Sequence, residues 1–292
     1  METMMSRNVF LYIVILTIPL PTALANEWEP VWSDEFNYTG LPDANKWNYE
    51  VGFIRNRELQ YYTSARKENA RVENGTLIIE SRKEKFKNPS YDPDAERRGR
   101  WNISREYADY TSAGLMTLGK ASWCYGRIEV RAKLPTGRGT WPAIWTLGTN
   151  IREAGWPTCG EIDIMENVGF DPNSIHANSH TRKYNHARNT GKGASIRVSK
   201  PYKEFHIYAV EWYPDRIDFY VDDNKYFSYE NEGSGEDAWP YDKPQYLILN
   251  TAIGGTWGGQ KGIDDSIFPQ KFYIDYVRIY QKKTANQPAK KK

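Results

Sequence analysis

Three acids alternate with apolar residues in Gly160-Glu161-Ile-Asp-Ile-Met-Glu166-Asn167. On an extended strand Glu161 and Asp163 share one face, and Ile162 and Ile164 point the other way, toward a core. Glu166 falls on the wrong face of a regular strand. One extra residue near Met165, a β-bulge, returns it to the face of Glu161 and Asp163. Like charges in such a row repel, so at least one carboxyl must keep its proton to a higher pH. A retaining glycosidase needs that pairing. One ionised carboxylate attacks the anomeric carbon, and a protonated one about 5–5.5 Å away serves the leaving oxygen and then activates water. Cβ atoms four places apart on a straight strand lie ~13 Å apart. Inward-leaning Glu side chains and strand curvature must close that gap. A solvated acidic face and a calcium site are the alternative readings. Calcium needs more oxygen ligands than this strand supplies, and the flanking Trp-rich segments favour a sugar cleft over a plain surface.

The elements that must hold this row read as strands. Thr76–Ser81, Tyr125–Ala132, Phe205–Trp212, Arg216–Val221, Gln245–Asn250 and Phe272–Tyr280 are rich in β-branched and aromatic residues. Arg127, Glu129 and Arg131 alternate with Ile128, Val130 and Ala132. Turn signals such as Asn74-Gly75, Asp222-Asp223-Asn224 and Gly258-Gly259 separate them. No long amphipathic helix is evident. The pattern predicts one all-β domain, an antiparallel sandwich. The chain holds 11 Trp, 21 Tyr and 10 Phe, which suggests a surface that stacks on sugar rings.

Arg7, an apolar stretch from Val9 to Leu20 and Ala23-Leu24-Ala25 read as a signal peptide over 1–25. The apolar stretch is too short to span a membrane. The expected product is a secreted domain over 26–281, followed by a disordered Lys-rich tail at 282–292. The net charge is +2, but five lysines follow Gln281, so the body is mildly acidic. That excludes a basic nucleic-acid-binding face. Cys124 and Cys159 form either one bridge or two buried thiols.

Glu161-Ile-Asp-Ile-Met-Glu166 resembles the catalytic signature of glycoside hydrolase family 16 in its bulged form. Glu58-Leu-Gln-Tyr-Tyr-Thr63, Trp141-Pro-Ala-Ile-Trp145, Trp156-Pro-Thr-Cys-Gly160 and Ile253-Gly-Gly-Thr-Trp257 are similar to its laminarinase-like branch. The resemblance covers about Trp32 to Gln281. It implies a jelly roll of two bent antiparallel sheets with a concave substrate groove. It also implies Glu161 as nucleophile, Glu166 as acid/base and Asp163 as the residue assisting the nucleophile. Trp141 and Trp145 share strand parity and would face the groove, with Pro142 and Ile144 facing away. A core role for one Trp is the alternative. The resemblance puts His180 near the acid/base, Asn250 and Trp257 near the nucleophile end, and Asn56 and Arg57 in a loop toward the glycone subsites. It needs no cofactor for catalysis. A structural calcium on the convex face would involve Glu35, the Gly75 carbonyl and Asp275, with an ordinary strand acid as the other reading of Asp275.

His176, Asn178 and His180 share a strand face, read either as packed polar side chains or, with His186, as a zinc site. The His-x-x-x-His pair lacks the helix and the following Glu of zinc proteases. One departure stands out: many laminarinase-like sequences carry Arg where Gly114 stands. The expected activity is a monomeric, retaining endo-β-glucanase acting on β-1,3-glucan or mixed-linkage β-1,3/1,4-glucan. A same-fold galactan hydrolase and a non-catalytic glycan-binding jelly roll are the rivals.

Overall fold

The computed structural model describes residues 27–283. The expected signal peptide and residues 284–292 of the expected tail lie outside them. In chain order the strands are β1 (Trp28–Asp34), β2 (Asn48–Glu50), β3 (Gln60–Tyr62), β4 (Ala70–Glu73), β5 (Thr76–Lys87), β6 (Tyr107–Ser112), β7 (Gly114–Met116), β8 (Gly126–Lys133) and β9 (Thr140–Gly148). They continue as β10 (Glu161–Glu166), β11 (Ser174–His180), β12 (Lys192–Arg197), β13 (His206–Trp212), β14 (Arg216–Val221), β15 (Asn224–Glu230), β16 (Gln245–Ile253) and β17 (Gln270–Lys282). Helix is confined to short turns, including α1 (Ile151–Ala154) and α2 (Gly255–Gly258). No helix among the described residues is long and apolar enough to cross a membrane.

Two sheets form the jelly roll. One runs β15-β14-β13-β8-β17-β5-β6-β3, with β1 on β17 and β4 on β5. The other, which carries the acids, runs β12-β11-β10-β9-β16-β7-β2. Pairing is antiparallel except for β3 on β6, which run parallel. The main core lies between the sheets. Ile128, Val130 and Ala132 of one meet Ile144, Ile162, Ile164, Leu247 and Leu249 of the other. Each such buried aliphatic side chain contributes about 1.5–3 kcal/mol. The other face of the acid-bearing sheet has its own cluster, with Ala143, Trp145, Leu147, Cys159, Tyr246 and Ile248.

The bulge sits where the spacing predicts it. Asp163 pairs with Trp145 of β9 and Met165 with Ile144, so Ile164 is the extra residue. Both Ile164 and Met165 are fully buried in the main core, and Glu166 turns back to the groove face.

Three expectations change. Six of the eleven Trp (Trp28, Trp47, Trp123, Trp145, Trp212 and Trp239) are buried, so the aromatic excess mostly builds core. Both cysteines are free thiols, Cys159 buried and Cys124 half-buried. Lys282, expected in the tail, ends β17 and pairs with Glu27 of the chain's other end.

Deleting Met165 leaves strict alternation, Glu161-Ile-Asp-Ile-Glu166, so β10 should straighten and still present all three acids to the groove. The expected result is a folded protein that keeps part of its glucanase activity, with a melting temperature lowered by about 5 °C or more from loss of the buried Met165 side chain. A folded Met165 deletion with no turnover at all would show that strand parity alone does not place Glu166.

Candidate active site

Gly160 enters β10 with φ +78°, and a Cβ there would lie 2.8 Å from Pro240 Cγ and 2.9 Å from Tyr241 Cε1. Tyr241 supports the next residue: its hydroxyl donates to the Glu161 carbonyl at 2.8 Å. In the β10–β11 register Glu161 faces His180, Asp163 faces Asn178 and Glu166 faces His176.

Each terminal glutamate is held by an indole. Trp156 Nε1 donates to Glu161 Oε2 at 2.9 Å. Trp141 Nε1 donates to Glu166 Oε1 at 2.9 Å, and Asn178 Nδ2 to Glu166 Oε2 at 3.0 Å. Trp156, which the sequence marks only as part of a motif, is the 39% exposed wall of the groove. His186 lies 5.1 Å from its ring and 5.1 Å from the His180 ring. Trp257 packs edge-on against Trp141 and His176, at 5.5 and 5.0 Å.

His180 Nε2 approaches Asp163 Oδ2 at 3.2 Å and Glu161 Oε1 at 3.8 Å. It therefore belongs to the Glu161 end, not beside Glu166 as expected; antiparallel register decides this. Asn178 takes the place beside Glu166. Trp257 moves the other way, to the Glu166 end, because α2 packs on Trp141. Asn250 is buried with its amide fully engaged: Oδ1 accepts from Trp145 Nε1 at 2.7 Å, and Nδ2 donates to Tyr62 Oη at 2.9 Å. It supports the groove floor and does not line it. Trp145 is that floor, 6% exposed, so the core alternative holds for it while Trp141 stays half-buried at the groove.

Asn56 bonds Glu58 at 3.3 Å and accepts from the Thr256 amide at 3.1 Å, tying its loop to α2. Arg57 is exposed. The neighbouring Arg55, not singled out from sequence, stacks on Trp145 with its guanidinium 4.7 Å from the ring. No sequence signal separated Arg55 from Arg57, because the distinction depends on the loop's path.

Burial pushes the carboxyls of Glu161 and Asp163 well above their ordinary range. The charge of Asp163 adds to the effect at Glu161, and that of Glu166 adds to it at Asp163. Burial also raises Glu166, while hydrogen bonds from Trp141 and Asn178 and the nearby His180 pull it back. The row therefore retains a proton to higher pH than separate carboxylates would, which suits acid/base work. Burial likewise lowers His176 and His186.

The metal readings fare poorly. His176 contacts Trp257 and pairs with Glu166, while His180 and His186 meet at Trp156, so the three histidines do not converge. Glu161, Asp163 and His180 could share an ion by distance alone. An ion there would compete with the Trp156 hydrogen bond, and we assign none. The side chains expected for calcium are engaged elsewhere. Both Glu35 oxygens accept from Arg278, at 3.0 and 2.8 Å, and Asp275 Oδ2 accepts from Arg131 at 2.6 Å. Paired with guanidinium groups, these carboxylates do not fit a calcium ion. Gly75 makes the positive-φ turn between β4 and β5.

A carboxyl whose folded pKa is raised costs stability as pH climbs from its unfolded value through its folded one, because the native state then binds more protons than the unfolded chain. Asp163→Asn removes that cost. The variant should melt about 3 °C or more above the parent at pH 7, with the gain vanishing below about pH 4, by calorimetry. Equal melting of both proteins at pH 7 would contradict the charge account.

This geometry has counterparts. Residues 58–278 match the family model of Glycosyl hydrolases family 16. The chain is 48% identical to a β-glucanase of Rhodothermus marinus, over 96% of each chain. The X-ray structure of the laminarinase from Rhodothermus marinus superposes with a TM-score of 0.78 at 51% identity, covering 88% of this chain and 98% of that one. SCLam, a non-specific endo-β-1,3(4)-glucanase, superposes with a TM-score of 0.78 at 45% identity, covering 91% and 94%. A family match over most of the chain, joined to a bulged strand with three acids on its groove face, means that the protein belongs to glycosyl hydrolase family 16.

Proposed function

We propose that this chain is a retaining endo-β-glucanase that hydrolyses β-1,3-glucan or mixed-linkage β-1,3/1,4-glucan by double displacement. The observation that carries the reading is the pair of glutamates on one bulged strand, each fixed by an indole N–H. In the first step an oxygen of ionised Glu161 attacks the anomeric carbon while Glu166 protonates the departing glycosidic oxygen. The product is a glycosyl ester on Glu161 and a free reducing chain. In the second step Glu166, now ionised, removes a proton from water, which attacks the same carbon and releases Glu161. Trp156 holds Glu161 in line, and Trp141 with Asn178 orients Glu166. Asp163, between them, limits how much negative charge the row can carry.

The half-buried Trp141 and Trp257 and the exposed Trp156 offer aromatic walls that suit flat glucosyl rings. The substrate class is supported by the Rhodothermus laminarinase and by SCLam, whose names give laminarin and β-1,3(4)-glucan. Nothing in the groove favours a galactan. We also propose export, supported by Arg7, the apolar stretch from Val9 to Leu20 and the small-x-small Ala23-Leu24-Ala25.

Reducing-end release is the direct test, with laminarin and barley glucan as substrates and agarose as the rival. Glu161→Ala and Glu166→Ala should each lower turnover on the glucans by roughly 10³-fold or more while the protein stays folded by circular dichroism. Azide should restore turnover of an activated aryl glucoside to Glu161→Ala with formation of an α-glycosyl azide. Parental turnover in Glu161→Ala, or release from agarose alone, would overturn the proposal.

A further inference from the structure

Gly114 of β7 lies against Glu50 of β2: a Cβ at 114 would stand 2.6 Å from Glu50 Oε2. The missing side chain makes room for the Glu50 carboxylate, which is 8% exposed. Glu50 Oε1 in turn pairs with Arg55 Nη2. The Arg55 guanidinium carbon sits over Trp145, 4.7 Å from the ring centre, and Trp145 pairs with Asp163 across β9 and β10. A second buried acid, Glu58, stands near Arg55 and is held by Gln60 at 2.7 Å. The loop carrying Arg55 is anchored behind by Phe53, which packs on Tyr61 and Trp101 at 5.7 and 6.5 Å.

We propose that Arg55 is a positioning residue of the glucanase site: seated by Glu50 in the space left by Gly114, it clamps Trp145 and supplies a fixed positive charge to the carboxylate row. This rests on Glu161 as nucleophile. The charged and titratable groups around Glu161 are Asp163 and Glu166 on its own strand, His180 on β11 with His186 beyond it, Arg55, the Cys159 thiol before it, and the hydroxyls of Tyr241 and Tyr246. His180 and Arg55 both act against the acids at Glu161. The Arg55 guanidinium keeps its charge at every working pH. Its counter-charges are Glu50 and Glu58, and burial holds Glu58 up at about 6. Arg55 Nη1 and Glu50 Oε2 are buried without hydrogen-bond partners among the described residues. The contact is thus a single-point ion pair through Nη2 and Oε1, not a bidentate one.

The test is the pH profile of kcat/KM on laminarin for Arg55→Gln, Arg55→Lys and Gly114→Ala, with circular dichroism and melting recorded for each. Without the cation Glu161 holds its proton to higher pH. Arg55→Gln should therefore move the acidic limb up by roughly half a pH unit or more, with kcat falling more than KM rises. Arg55→Lys keeps the charge but loses the planar guanidinium over Trp145, and should return most of the limb with only part of the turnover. Gly114→Ala, pressing on Glu50 from the far side, should shift the limb the same way by less. A folded Arg55→Gln whose limb stays in place, whatever its turnover, overturns the proposal. If that variant does not fold, an unmoved limb in Gly114→Ala overturns it and a raised limb supports it. Glu161→Ala run in parallel separates the two readings: activity surviving there removes the nucleophile assignment, not the Arg55 contact.

Discussion

Three carboxylates crowd one strand face, Asp163 buried and Glu161 and Glu166 half-buried, and much of this structure is arranged around the cost of holding them there. An isolated buried carboxylate loses its hydration and gains nothing in return. Here Glu161 and Glu166 each accept an indole N–H, from Trp156 and Trp141. Asp163, only 3% exposed, has His180 as its near neighbour. Those donors come from β9, β11 and the turn before β10, so the row exists only when these elements are in register. Repulsion that remains raises the proton affinity of the row, and that residual strain is what acid/base chemistry draws on.

The sandwich meets the constraint by separating two jobs across one sheet. Ile144, Ile162, Ile164 and Met165 face the main core and fix β9 and β10 against the second sheet. The opposite face carries a smaller cluster around Trp145, which is stiff because its indole bonds Asn250 and its ring lies under Arg55. A rigid floor beneath acids on strands holds reacting groups more tightly than loops could. The walls, by contrast, come from loops and turns: Trp156 before β10 and Trp257 on α2.

Much of this was legible in the sequence, for stated reasons. A break in period-two alternation between Asp163 and Glu166 can restore a shared face only through a bulge, so Met165 marked it. Alternating apolar residues in β8, β9 and β10 pointed to the sandwich and its core. What was not legible depends on register and on contacts far apart in the chain. Strand parity puts His176, Asn178 and His180 on one face, but only the pairing with β10 shows that His180 meets Glu161 and Asn178 meets Glu166. Parity also puts Trp145 beside Trp141. It cannot reveal that Asn250 and Arg55 engage one and leave the other half open. Sequence spacing likewise does not show that Glu35 and Asp275 pair with Arg278 and Arg131, which lie far from them or on another strand.

The central claim is that Glu161 and Glu166 act in sequence from one face, so the sugar keeps its configuration through two inversions. Proton NMR of the first products released from a laminarin oligosaccharide tests this directly, recorded within the first minutes before mutarotation scrambles the anomers. The account predicts that the β-anomer appears first and the α-anomer only later, as the product equilibrates. An α-anomer present from the earliest spectrum would mean a single inverting displacement by water, and would contradict the account.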